Sequence, residues 1–404
     1  MRHVNAIHLV HVSLAAVALP LVAGCGPSDT AAAARWSGTL DTLPSGMIAV
    51  HNPADPVWTD ADGWRVEEEL RIGTLEGTGP DVFGRILTIA VDPAGRMWVF
   101  ESQAQELRVF DAAGEHVRTI GRQGGGPGEF AQAVRVEQGP NGHMWVMDPQ
   151  NNRISVFDTA GNYVEAKPAA GGFIMIPWPG RFDDAGRYYA PIPRPGGEGF
   201  HIGVVRYDVS LSPIDTLDVP TDPIERASFD LTGNSGSFIR AAVPYQGSLT
   251  WHLSPAGTIW AMLTDDYRLF ELSPEGDTLR TITRAFTPLP VTPEDREQAR
   301  ENLKWFTDQG GRIDLSKLPA TKPAATSFFF DDEGNVWVER VTANDVENAS
   351  YDVFDPIGRF LGTVDLPMPL LSNPQPIVRD GVLYGVTRDE LDVPYVVRAR
   401  IVKP

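Results

Sequence analysis

The chain has one cysteine, Cys25, among its 404 residues. No intrachain disulfide can form, and no Cys/His cluster has zinc-site spacing. Packing and sheet hydrogen bonds must hold the fold. Several catalytic signatures are also missing. There is no Gly-x-Ser-x-Gly elbow, no phosphate-binding loop, no Gly-x-Gly-x-x-Gly after a strand and no His-Glu-x-x-His. Positive charge is scarce: 34 Lys and Arg against 53 Asp and Glu leave a net charge of −19. Such a surface repels phosphate backbones, which argues against nucleic acid as a partner. No apolar run after Cys25 is long enough to span a bilayer.

What is present begins with an address. Arg2 and His3 form a short basic start, and Val12 to Val22 is apolar apart from Ser13. Residues 1–24 therefore read as a secretory signal peptide. The run ends in Leu21-Val22-Ala23-Gly24-Cys25, which resembles the bacterial lipobox. The resemblance implies cleavage after Gly24 and lipidation of Cys25, with enough acyl chains for stable anchoring. The expected location is the bacterial cell envelope, at the outer membrane or facing the periplasm. The membrane would be reached through the lipid anchor only. Residues 25–60 carry Ala, Ser, Pro and Asp with little periodicity and read as a tether.

From residue 61 to 404 the sequence repeats. Ile89-Ala-Val-Asp-Pro-Ala-Gly-Arg-Met-Trp-Val-Phe-Glu101 is echoed by Val134-Arg-Val-Glu-Gln-Gly-Pro-Asn-Gly-His-Met-Trp-Val-Met-Asp148. Each is followed by a strand ending in Val-Phe-Asp, a Gly turn and a fourth strand. Alternating apolar residues bounded by Gly and Asp turns are the hairpin signature. The 39 glycines and 34 prolines suit such a turn-rich β fold. Trp98, Trp145, Tyr189, Trp260, Trp337 and Tyr384 mark six units. The expected fold is all-β: a six-bladed β-propeller with one short helical insertion. The last unit has only three strands, and an orphan strand, Trp64 to Ile72, precedes the first. That N-terminal strand is expected to complete the C-terminal blade and close the ring. Thr292 to Phe306 reads as a helix, N-capped by Thr292, within an insertion over about 286–318. Residues 218–240 read as a second insertion, polar and loop-like.

The Gly-x-Met-Trp-Val strand followed by Arg-x-x-Val-Phe-Asp resembles NHL repeats, most clearly at Asp148-Pro-Gln-Asn-Asn-Arg-Ile-Ser-Val-Phe-Asp158. The connector Gly121 to Phe130 is similar to that of bacterial lipoprotein-type six-bladed propellers. The resemblance implies a fold that serves binding scaffolds, lyases and lactonase-like hydrolases alike, so fold does not choose function.

Two functions from different classes stand. One is a non-enzymatic binding or scaffold module at the envelope, for a protein, peptide or glycan partner, with no cofactor required. The other is a metal-dependent hydrolase or lyase, lactonase-like, with its site in the central channel. Propeller enzymes of this type often hold Ca²⁺ through carboxylate and amide oxygens, as a hard cation prefers. Glu101, Asp148 and Asp265 are the candidate metal ligands here; the other reading of the same residues is that they tie the loop after the second strand. His252, beside Trp251, and Trp178, between two prolines, are candidates for a ligand groove.

Overall fold

The computed structural model describes residues 35–169, 181–194, 201–232, 238–343 and 349–404. Cys25 and Trp178 lie outside them. Six four-stranded antiparallel arrays follow one another around a ring. Blade one runs from Ile86 to Ile120, blade two from Arg135 to Pro168 and blade three from Arg181 to Asp218. Blade four spans Leu249 to Arg284 and blade five Ala325 to Asp365. Blade six takes three strands from Ile377 to Val402, and Arg65–Ile72 is its fourth. Val396 pairs with Ile72 and Ile401 with Val66. The N-terminal strand thus closes the ring, and Arg398 and Arg400 reach Glu69 across the seam.

The core is divided into interblade layers. Trp98 and Phe100 of blade one pack on Val136 and Met144 of blade two. Equivalent layers join blades two and three, three and four, four and five, five and six, and six and one. All six marker aromatics are buried on second strands. A turn device explains the spacing at three of them. Asp92 Oδ2 accepts from Trp98 Nε1 at 2.9 Å, Asp183 Oδ2 from Tyr189 Oη at 2.9 Å and Asp331 Oδ2 from Trp337 Nε1 at 3.0 Å. In each case the other carboxylate oxygen takes an amide of the same hairpin turn. A buried indole N–H or phenol needs such a partner. The glycine between them, such as Gly95 at φ +73°, turns the chain through the left-handed region.

Two expectations are corrected. The tether does not extend to residue 60. Thr39–Thr42 and Ile48–Asn52 form a hairpin whose second strand pairs in parallel with the outermost strand of blade four. Val50 is buried there, and Asn52 donates to Gly358 O and accepts from Phe360 N in blade five. Trp58 N donates to Leu361 O. The segment covers an outer edge that would otherwise be open. Nor is 218–240 only loop: Ser228–Thr232 and Phe238–Ala242 pair as antiparallel strands.

The helical insertion starts at Thr292, whose hydroxyl accepts from Asp295 N in a capping box. Helix α1 (Pro293–Asn302) breaks at Leu303 and a short α2 (Lys304–Asp308) follows. The two insertions share one core: Phe229 from the first, and Val243 just after it, meet Ala299, Leu303, Phe306 and Leu318 from the second.

Candidate functional site

In a blade of four antiparallel strands, the 2–3 loops and the links to the next blade emerge on one face. The 1–2 and 3–4 turns emerge on the other. Both insertions are links between blades, so both rise from the first face, called here the insertion face.

The three candidate metal ligands are also at this face, but they do not meet. Glu101 ends the second strand of blade one. Its Oε1 accepts from Arg85 N at 2.8 Å and its Oε2 from Ala104 N at 2.6 Å. Asp148, fully buried, accepts from Ala131 N, Gln132 N and the Asn151 side chain. These carboxylates are consumed in holding loop amides that would otherwise be buried unpaired. Asp265 faces Arg226, with Nη1 to Oδ2 at 2.7 Å, and so ties the first insertion to the 2–3 loop of blade four. Among the described residues no three His, Cys, Asp or Glu side chains are grouped to hold a metal ion. The loop-tying alternative describes Glu101 and Asp148.

His252 lies on the innermost strand of blade four, half-buried, with its ring edge-on to Phe328 at 4.9 Å. Burial pulls its pKa down to about 3, and the charges of Arg181 and Arg135 add to the effect. The imidazole is therefore neutral at physiological pH. The central channel holds a cavity of about 430 Å³ that opens toward the turn face, and His252 is not among its lining residues. Arg135, Glu137, Arg181, Asp184 and Arg379 line that cavity. They largely satisfy one another and the backbone. Arg181 donates to Leu253 O at 2.8 Å, Glu137 pairs with Arg135, and Arg379 bridges Val91 O and Gln138 Oε1. Burial holds the Arg181 pKa below its ordinary value and raises that of Asp184.

A second cavity, of about 380 Å³, opens on the insertion face between blades four and five, under the stem of the helical insertion. Arg284, Arg340 and Tyr267 stand among its polar lining; Phe286, Pro288, Leu289 and Val341 supply apolar wall. At its base Asp352 is fully buried. Asp352 Oδ2 accepts from Tyr267 Oη and from Arg284 Nη1, the latter at 2.5 Å, and Oδ1 accepts from Thr363 Oγ1 at 2.7 Å. Arg284 also lies over the Phe360 ring at 3.9 Å. Burial, followed by the charge of Asp352, raises the Tyr267 pKa well above its ordinary value, so the phenol stays a donor. The sequence reading missed this cluster. Its one signal is Asp352, a carboxylate within a strand, Ser350–Phe354, that is buried along its whole length.

Comparison with known proteins agrees with the architecture. A family model described as a 6-bladed beta-propeller matches residues 74–137. No curated protein matches. Among solved structures, a candidate exported protein from Bacteroides fragilis is 12% identical, with 88% of this chain and 100% of that chain covered and a TM-score of 0.46. Virginiamycin B lyase from Staphylococcus aureus is 10% identical, with coverages of 84% and 100% and a TM-score of 0.40. A gluconolactonase from Xanthomonas campestris is 12% identical, with coverages of 77% and 85% and a TM-score of 0.39. At such distances the reaction of a neighbour does not transfer, and function rests on this chain's own residues.

Proposed function

We propose that this chain is a binding module of the bacterial cell envelope, held at the membrane through lipid on Cys25, that presents its insertion face to a protein or peptide partner. One observation carries the reading. Among the described residues the exposed Phe and Trp side chains are Phe238 and Trp305, at 58% and 48% exposure, and both are on the insertions. Exposed aromatics on a platform with its own core are the anchors that interfaces use. The clamp between Arg226 and Asp265 fixes that platform to blade four. A metal-dependent hydrolase or lyase would need carboxylates that converge, and Glu101, Asp148 and Asp265 lend it no support.

The test places a photo-crosslinking amino acid at Trp305 or, on the turn face, at Ile357, in the full chain expressed in its native cells. The reading expects discrete crosslinked species from Trp305 and none from Ile357. Equal crosslinking from both positions, or none from Trp305, overturns it.

A further inference from the structure

We infer that the cavity between blades four and five receives a carboxylate carried on an apolar body, with Arg340 as its contact and Arg284 as the group that fixes the floor. The inference rests on the proposed binding role of the insertion face and names the chemistry of what binds there.

The first argument is charge. Among the described residues two guanidinium groups line the cavity, and one carboxylate, Asp352, answers them. Asp352 is saturated: Tyr267 and Arg284 occupy Oδ2 and Thr363 occupies Oδ1. Arg340 reaches Oδ1 with its Nε only at 3.7 Å, beyond hydrogen-bond length, and its side chain keeps 39% of its surface. The described residues of the site therefore carry one positive charge in excess at a partly enclosed position, where an anion is held more strongly than in open water.

The second argument is the fixed floor. Arg284, nine-tenths buried, engages Asp352 and Ala54 O through its two Nη atoms and lies over the Phe360 ring, so it is held in place and leaves Arg340 as the guanidinium open to a ligand.

The third argument is the wall. Phe286, Pro288, Leu289, Pro323 and Val341 surround the arginines. They give an apolar seat beside a cationic end, which fits an amphipathic acid better than a free inorganic anion. In the central channel, by contrast, Arg135 and Arg379 already have side-chain partners.

The experiment is calorimetric titration of the purified mature chain with 3-phenylpropionate and with 3-phenylpropanamide, its neutral amide. A parallel arm uses a short peptide ending in Phe, with a free or an amidated C-terminus. The acid is expected to bind saturably and the amide at least about tenfold more weakly. R340Q is expected to abolish the preference for the acid. R340K is expected to keep the preference at reduced affinity, because the charge remains and the planar fork does not. Tighter binding of the free-ended peptide than of 3-phenylpropionate identifies a peptide terminus as the source; the reverse identifies a small acid. Equal binding of acid and amide, unchanged binding by a folded R340Q, or no saturable binding by any probe overturns the inference. Crosslinking from Trp305 does not depend on Arg340, so the two proposals fail separately.

Discussion

Arg226 Nη1 stands 2.7 Å from Asp265 Oδ2, and its Nε reaches Asp222 Oδ2 at 2.9 Å. One guanidinium thus joins the link leaving blade three to the 2–3 loop of blade four. Asp265→Ala is expected to leave global stability nearly unchanged, within about 1 kcal/mol, because the pair is partly solvated. Its effect is local. Hydrogen exchange is expected to accelerate in residues 219–232 and to stay as it was in blades one and two. Unchanged exchange in that segment would show that the shared core of the insertions, not Arg226, holds the platform.

The cluster at Asp352 behaves differently because it is buried. Asp352→Ala leaves Arg284 charged and enclosed, and removing one partner of a buried pair costs about 3–5 kcal/mol. A urea denaturation midpoint measures it. The double variant Asp352→Leu with Arg284→Met is expected to recover most of the loss, since apolar replacement of both partners removes the uncompensated charge. A single-variant loss below about 1 kcal/mol would mean that water reaches the cluster freely.

His252 sets a pH dependence. Its folded pKa is about 3, below the ordinary 6.5. Between these values the unfolded chain binds more protons than the folded one, so this residue's contribution to stability is full above pH 6.5 and declines as pH falls toward 3. Melting temperatures of the wild type and His252→Gln are expected to move relative to each other across that window, the wild type losing more on acidification. A constant difference at every pH would mean that the imidazole is solvated and protonates normally in the fold.

The repeat was legible because three of the six blades use the same chemistry at the same spacing and the other three keep the aromatic after the turn. An Asp, a left-handed Gly and an aromatic six residues after the Asp recur at Asp92 and Trp98 and at Asp331 and Trp337, and the structure shows the hydrogen bond that selects them. Ring closure was legible from the orphan strand before blade one. Contacts between distant segments were not. Arg284 and Asp352 are 68 positions apart, and Asn52 meets Phe360 across 308. No local pattern reports such pairs, which is why the hairpin at 39–52 read as tether and the cavity went unseen. Glu101 and Asp148 read equally as ligands or loop ties, because both roles ask for a carboxylate at the end of the second strand. Only the positions of the Arg85, Ala104, Ala131 and Gln132 amides separate them.

The claim that this chain binds rather than performs metal-assisted chemistry is tested most directly by its calcium and zinc content after purification without chelators, for the wild type and for Glu101→Gln and Asp148→Asn. The account predicts no stoichiometric metal in any of the three. It also predicts a stability loss of about 1–3 kcal/mol in each variant, because an amide nitrogen then faces a backbone N–H that the carboxylate oxygen had satisfied. One tightly held ion per chain, lost in either variant, would contradict the account and place the work of this protein in metal-dependent catalysis.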